Sequence, residues 1–114
     1  MKAVPLLLSF ALLSFTGCDP ALAEGRSGQE VFNTKCIACH QGGGNTLNPS
    51  KTLTEDSLKR DGYSDVSAII DIVTKGKRPM PAYGIKSKKL GLDPDEIEAV
   101  SSYVLEQAKS GWKQ

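Results

Sequence analysis

Cys36-Ile37-Ala38-Cys39-His40 is the stretch from which the rest of this 114-residue chain is read. The pattern C-x-x-C-H is the attachment signature of a c-type haem. Two thiols three positions apart on one turn can each form a thioether to one vinyl group of a porphyrin. The imidazole of the next residue then lies beneath the iron as a proximal ligand. Other chemistries use a Cys pair at this spacing: a Cys36–Cys39 disulfide, a thioredoxin-like redox pair, or half of a zinc site. The redox pair wants a βαβ setting, and no such pattern surrounds it. A structural zinc site wants two more Cys or His ligands. His40 is the only His in the chain, and the third Cys, Cys18, falls in the leader. Covalent haem is the reading that employs all three residues, with Cys36 and Cys39 as attachment points and His40 as a metal ligand.

Moving outward, Lys75 to Ala82 reads K-G-K-R-P-M-P-A. Met1 and Met80 are the only methionines, and Met1 leaves with the leader. A mature chain with one His and one Met builds only one His/Met pair, and a thioether ligand favours ferrous iron and raises the potential. Pro79 and Pro81 fix φ on either side, so the Met80 backbone arrives pre-ordered. A lone Met is more often a core filler. One set between two prolines in a Gly/Lys loop is not at a core-helix position, which makes Met80 the candidate second axial ligand.

The elements around these two stretches read as helices. Val31 and Phe32 precede the motif on a short amphipathic segment with Gly28 one turn earlier. Gly28 marks either a close helix crossing or merely an N-cap. Gln41 to Lys51 is a loop with three glycines, two asparagines and Pro49. It lacks the Gly-Lys-Ser/Thr ending and following strand of a phosphate loop; close packing of bare backbone on a flat porphyrin explains its glycines better. Thr54 caps a helix to about Asp61 with Gly62 as its stop. Ser64 is read as the cap of the next helix, whose apolar face is Val66, Ile69, Ile70 and Val73 and whose end is Gly76. Positions 69, 72, 73 and 76 share a face, so Ile72 is expected at the edge of the haem. Asp93-Pro94-Asp95-Glu96 opens the last helix, with Ile97, Val100, Val104 and Ala108 in one stripe. The Gly28/Phe32 face is expected to cross Val100/Val104. Helices joined by loops, with no strand pattern, make an all-α domain.

Residues 1–23 read as a secretory signal peptide: Lys2, an apolar run from Val4 to Phe15, and Ala21-Leu22-Ala23 for cleavage. The run is too short to span a bilayer of about 30 Å. Cys18 is also readable as a lipoprotein acylation site, but Phe15 is a poor fit three positions before it, and cleavage after Ala23 is preferred. The domain proper is then 24–114, exported to the side of the membrane where c-type haem is attached. A formal net charge of +1 argues against nucleic acid as a partner. So short a chain has a thin core, and a covalently held porphyrin would supply much of its apolar surface.

From Gly28 to Trp112 the chain resembles the class I cytochromes c, and most closely cytochrome c6 of cyanobacteria and algae. The resemblance rests on Val31-Phe32-Asn33 before the motif, Gly42-Gly43-Gly44-Asn45, Pro49 with Lys51-Thr52-Leu53, and Asp61-Gly62-Tyr63. It continues in Gly76-Lys77, Met80-Pro81-Ala82-Tyr83, Asp95-Glu96-Ile97 and Trp112. It implies the small class I cytochrome c fold, four or so helices wrapped around one covalent haem c. It implies thioethers at Cys36 and Cys39 and axial ligands His40 and Met80. It also implies a monomeric one-electron shuttle in the thylakoid lumen or periplasm, transient at membranes, between the cytochrome b6f complex and photosystem I or a terminal oxidase. In this fold a backbone carbonyl after the motif accepts the axial imidazole N–H, and Pro49 is the candidate for that role.

Two departures from the family pattern point to a low-potential variant. Ile72 stands where photosynthetic members carry a Gln near the haem edge, and the stretch from Tyr83 to Leu92 is longer than is usual. A basic run, Lys75, Lys77, Arg78, Lys86, Lys88 and Lys89, reads either as a docking patch for an acidic partner or as a solvated loop. The alternative function is a haem-based sensor or peroxidase-like enzyme with a labile Met ligand. An iron saturated by His and Met leaves no open site for a substrate, which favours the carrier over the enzyme.

Overall fold

Ser27 starts the first helical run in the computed structural model, which describes residues 25–87 and 89–113. The leader over 1–23 with its Cys18, and also Lys88, lie outside the described residues. The Ser27 hydroxyl accepts from the Glu30 amide at 3.1 Å, so the cap is Ser27 and not Gly28. From there α1 (Gly28–Val31), a π-helical turn (Phe32–Cys36) and α2 (Ile37–His40) join without a break, and a tight turn (Gln41–Gly43) ends the run. In the π turn the Ile37 amide donates to the Phe32 carbonyl. That one extra residue rotates the next turn by about 100° around the axis. Val31 is therefore buried, while the Cys pair turns to another side.

The remaining helices are α3 (Glu55–Asp61), α4 (Val66–Lys75) and α5 (Pro94–Ser110). Counting the first run as one helix, this is the expected all-α architecture of four helices. Among the described residues the only ladder-like pairing is an isolated bridge between Lys77 and Met80. Thr54 caps α3 through the Ser57 amide, and Gly62 stops it at φ +85°. The cap of α4 is Asp65 rather than Ser64. Its carboxylate accepts from the Ala68 amide at 3.0 Å and from the Ser67 hydroxyl at 2.6 Å, a charged acceptor at the positive helix end. Asp93 and Glu96 frame the start of α5, where the Glu96 carboxylate accepts from the Asp93 amide at 3.2 Å.

Gly28 is the point at which α1 crosses α5. A Cβ there would strike the Ala99 carbonyl and lie 2.7 Å from the Tyr103 Cβ, so only a bare backbone permits the approach. The crossing runs over Ala99 and Tyr103, one position before the expected Val100/Val104 stripe. That stripe is buried in the core instead, together with Ile97, Ala108, Val31, Leu58, Ile69, Val73 and Leu92. Phe32 stacks between Tyr103 (centroids 5.5 Å) and Trp112 (5.1 Å), closing the open end of the crossing. Arg26 fastens the other end through an ion pair to the mostly buried Glu96 at 2.9 Å.

Candidate functional site

A cleft of about 270 Å³ opens between the first helical run, α3, α4 and the loop that follows α4. Its walls are largely apolar: Leu53, Leu58, Ile69, Ile72, Val73 and Val104. Cys36, Cys39 and His40 line it from the end of the first run, and Met80 lines it from the loop after α4. Four residues read from the sequence as attachment points and ligands thus converge on one cavity, although Met80 lies 40 positions beyond His40. Ile72 stands in the wall beside Ile69 and Val73, on the face from which it was expected to reach the haem edge.

His40 is oriented locally. Its Nδ1 lies 2.8 Å from the Gly44 carbonyl. A carbonyl only accepts, so Nδ1 carries the proton and Nε2 keeps its lone pair for a metal. The expectation for Pro49 is corrected here: Pro49 is exposed and outside the cleft lining, and the acceptor is Gly44. Gly42 (φ +64°) and Gly43 (φ +82°) turn the chain sharply enough to bring that carbonyl back over the imidazole within four residues.

One glycine of this loop makes room for a protein neighbour as well. A Cβ on Gly43 would lie 2.6 Å from the Trp112 Cε2, so the bare backbone there admits an indole. Trp112 also donates from Nε1 to the Leu53 carbonyl at 2.8 Å, while the Leu53 amide donates to the Gly43 carbonyl at 2.7 Å. The last aromatic of the chain thereby fixes the loop that fixes His40. Sequence reasoning misses this link, because a Gly-rich loop and a lone Trp 69 positions beyond Gly43 carry no local signal of each other.

Met80 is held by a local turn that longer-range contacts seat against the fold. Lys77 and Met80 exchange backbone hydrogen bonds at 3.0 and 2.7 Å, closing a tight turn with Pro79 inside it. Gly76 ends α4 at φ +71°, ψ 169°, a conformation that Gly alone adopts readily. A Cβ on it would lie 2.7 Å from the Ala82 nitrogen and 2.9 Å from the Met80 carbonyl oxygen. Just beyond, Tyr83 donates its amide to the Val73 carbonyl at 2.9 Å and its hydroxyl to the Lys35 carbonyl at 3.1 Å.

The donor set fits a covalently attached haem and disfavours the alternatives. Cys36 and Cys39 are free thiols, not a disulfide. Burial, with Cys39 beside it, pushes the Cys36 thiol up to about 11. A redox-active pair needs a lowered thiol pKa, because the thiolate is the nucleophile. Among the described residues no group of three or more His, Cys, Asp or Glu side chains is placed to hold a bare metal ion. What remains is a deep apolar slot with one nitrogen donor, one thioether and two thiols at its rim, which suits a flat apolar macrocycle carrying a metal at its centre.

The comparisons with known proteins agree. Residues 23–104 match the family model described as cytochrome C oxidase, cbb3-type, subunit III. Cytochrome c6 of Gloeothece citriformis is 42% identical over 94% of this chain and 94% of its own length. Among solved structures, oxidised cytochrome c6A of Arabidopsis thaliana superposes with a TM-score of 0.73 at 33% identity, covering 76% of this chain and 92% of that one. Cytochrome c6C of Synechococcus sp. PCC 7002 gives 0.66 at 41% identity, over 73% of this chain and 95% of its own. The chain belongs to the cytochrome c6 family, whose members carry one covalently attached c-type haem.

Proposed function

We propose that the protein carries single electrons on a haem c attached through thioethers at Cys36 and Cys39 and ligated axially by His40 and Met80. Membership of the cytochrome c6 family supports a haem c electron carrier rather than an enzyme. The observation that carries the ligand assignment is the convergence of His40 and Met80, one His and one mature Met, on a single apolar cleft. When bound, the haem supplies a one-electron couple centred on iron. The chain's own residues do the rest. The Gly44 carbonyl fixes the imidazole tautomer. The turn closed by Lys77 and Met80 presents the thioether. Ile69, Ile72 and Val73 exclude water from the slot and lower the local dielectric, which is a lever on potential.

The proposed setting is the thylakoid lumen or periplasm, after removal of residues 1–23. Among the described residues no helix is long and apolar enough to cross a membrane. The proposed partners are membrane redox complexes, the cytochrome b6f complex as donor and photosystem I or a terminal oxidase as acceptor. Lys77 and Arg78 are exposed on the cleft rim, and Lys86 and Lys89 are exposed in the loop beyond Tyr83. Lys75 is also exposed, with its charge partly offset by an ion pair to Asp71 at 2.6 Å. Exposed positive charge beside the electron entry point favours an acidic docking face and a rate that falls with salt. Ile72 in the cleft wall, where an amide would offer a hydrogen bond, supports a potential at the low end for the family.

The reduced absorption spectrum of the purified protein, recorded with and without carbon monoxide, tests the assignment. A thioether-haem band indifferent to carbon monoxide is the expected result. Ready binding of carbon monoxide by the unaltered protein would favour the sensor or peroxidase-like reading, and recovery of a lipid-modified Cys18 at the amino terminus would replace cleavage after Ala23 with a lipid anchor.

A further inference from the structure

Tyr83 is a buried residue whose backbone and side chain bond three separate parts of the fold. Its amide donates to Val73 in α4 at 2.9 Å, and its carbonyl accepts from Leu92 at 2.8 Å, just ahead of α5. Its hydroxyl crosses 48 positions to the Lys35 carbonyl at 3.1 Å. Only 8% of the residue is exposed. Among the described residues this is the one side-chain hydrogen bond joining the segment 77–83 to the first helical run. Lys35 sits in the π turn, immediately before Cys36. The hydroxyl therefore ties the loop, three residues after Met80, to the turn that carries Cys36.

We infer that Tyr83 is a positioning residue for the second axial ligand: its hydroxyl bond to Lys35 holds the Met80 loop closed on the iron. The inference rests on the proposal that Met80 is that ligand. A loop held only by its backbone turn samples open states, and each open state exposes the iron to a competing ligand in solution. The hydroxyl bond shifts that balance towards closed. A phenyl ring at position 83 would keep the core packing and both backbone bonds, and would lose only the tether.

Imidazole titration of the oxidised holoprotein at one fixed pH measures the open population. Imidazole replaces the Met80 thioether, one bond to iron for another, with no electron moved. Three variants are compared with wild type: Met80→Ala, Tyr83→Phe and Tyr103→Phe. Met80→Ala sets the affinity of an open site. Tyr103→Phe removes a hydroxyl from the aromatic cluster on the other side of the first helical run. Tyr83→Phe is expected to bind imidazole roughly tenfold more tightly than wild type, as the loss of one buried hydrogen bond implies, and its sulfur-to-iron charge-transfer band is expected to weaken. Tyr103→Phe is expected to bind as wild type does. Unchanged imidazole affinity in Tyr83→Phe, even with a lower melting temperature, would reduce Tyr83 to packing and overturn the inference. An equal gain in Tyr103→Phe would overturn it too. Wild type binding as tightly as Met80→Ala would instead show that Met80 is not the ligand, and both readings would fall together.

Discussion

The two ends of the cleft hold the proposed ligands by different means. On the His40 side the direct contacts are near in sequence: Cys36, Cys39 and His40 share one turn, and the carbonyl that orients the imidazole is four residues on, with Trp112 bracing that loop from a distance. On the Met80 side Lys77 closes the turn locally, but what seats the turn against the fold is farther away. The loop leans on α4 through Gly76 and Val73, and on the first helical run through the Tyr83 hydroxyl. Local geometry costs little chain entropy to assemble, whereas a ligand held across 40 or 48 residues closes only after the helices have packed. The orientation of His40 therefore rests mainly on local geometry, and the Met80 side is the one whose equilibrium a single substitution is expected to move most.

Removing the proposed distal ligand altogether has the largest expected effect. Met80→Ala should lower the midpoint potential by on the order of 200 mV and admit carbon monoxide without denaturant. A variant with the wild-type spectrum and potential would erase the distinction between the two ends. Paired glycine substitutions sharpen it. Gly76→Ala forces a Cβ against the Met80–Ala82 backbone in a conformation reserved for Gly, and about 3 kcal/mol or more of stability should go. Gly42→Ala meets no atom within 4 Å and should cost only the left-handed backbone term, about 1 kcal/mol. Equal losses in chemical denaturation would mean that the two ends are equally dependent on tertiary packing.

A smaller effect is expected at the cleft wall. Ile72→Gln places an amide beside the proposed haem edge and should raise the potential by about 40 mV, the equivalent of one hydrogen bond of about 1 kcal/mol for a one-electron couple. An unchanged potential with clear destabilisation would leave Ile72 as core and remove the reason for assigning a low potential. The smallest effect lies outside the cleft. The Arg26 guanidinium holds the Glu96 carboxyl below its ordinary value. A depressed carboxylate stabilises the fold above its unfolded pKa, and that contribution fades as pH falls through the folded value. Glu96→Gln should therefore lower the melting temperature at neutral pH by a few degrees and flatten the acid limb below about pH 4.5, with the potential untouched. A shift in potential would show that the crossing and the cleft are coupled.

The sequence by itself determined the proposed chemistry and the local punctuation. Cys36, Cys39 and His40 stand out because the proposed thioether attachment and axial ligation need those residue types at adjacent positions. Met80 stands out by elimination, as the one Met after Met1. Thr54, Gly62, Gly76 and the Asp93–Glu96 start of α5 are legible because capping is satisfied within one turn. Even so, local signals compete: Ser64 and Asp65 both suit a cap, and the carboxylate prevails because it meets two donors at once. Tertiary structure alone decided which distant groups meet. It moved the α1 crossing one residue along α5, onto Ala99 and Tyr103, because the bulged π turn and the Gly28 contact fix how the two helices seat. It brought Trp112 onto Gly43 and the Tyr83 hydroxyl onto Lys35, pairings whose partners lie 48 to 69 positions apart. Side-chain periodicity reports which face of a helix is buried; it carries no information about what that face is buried against.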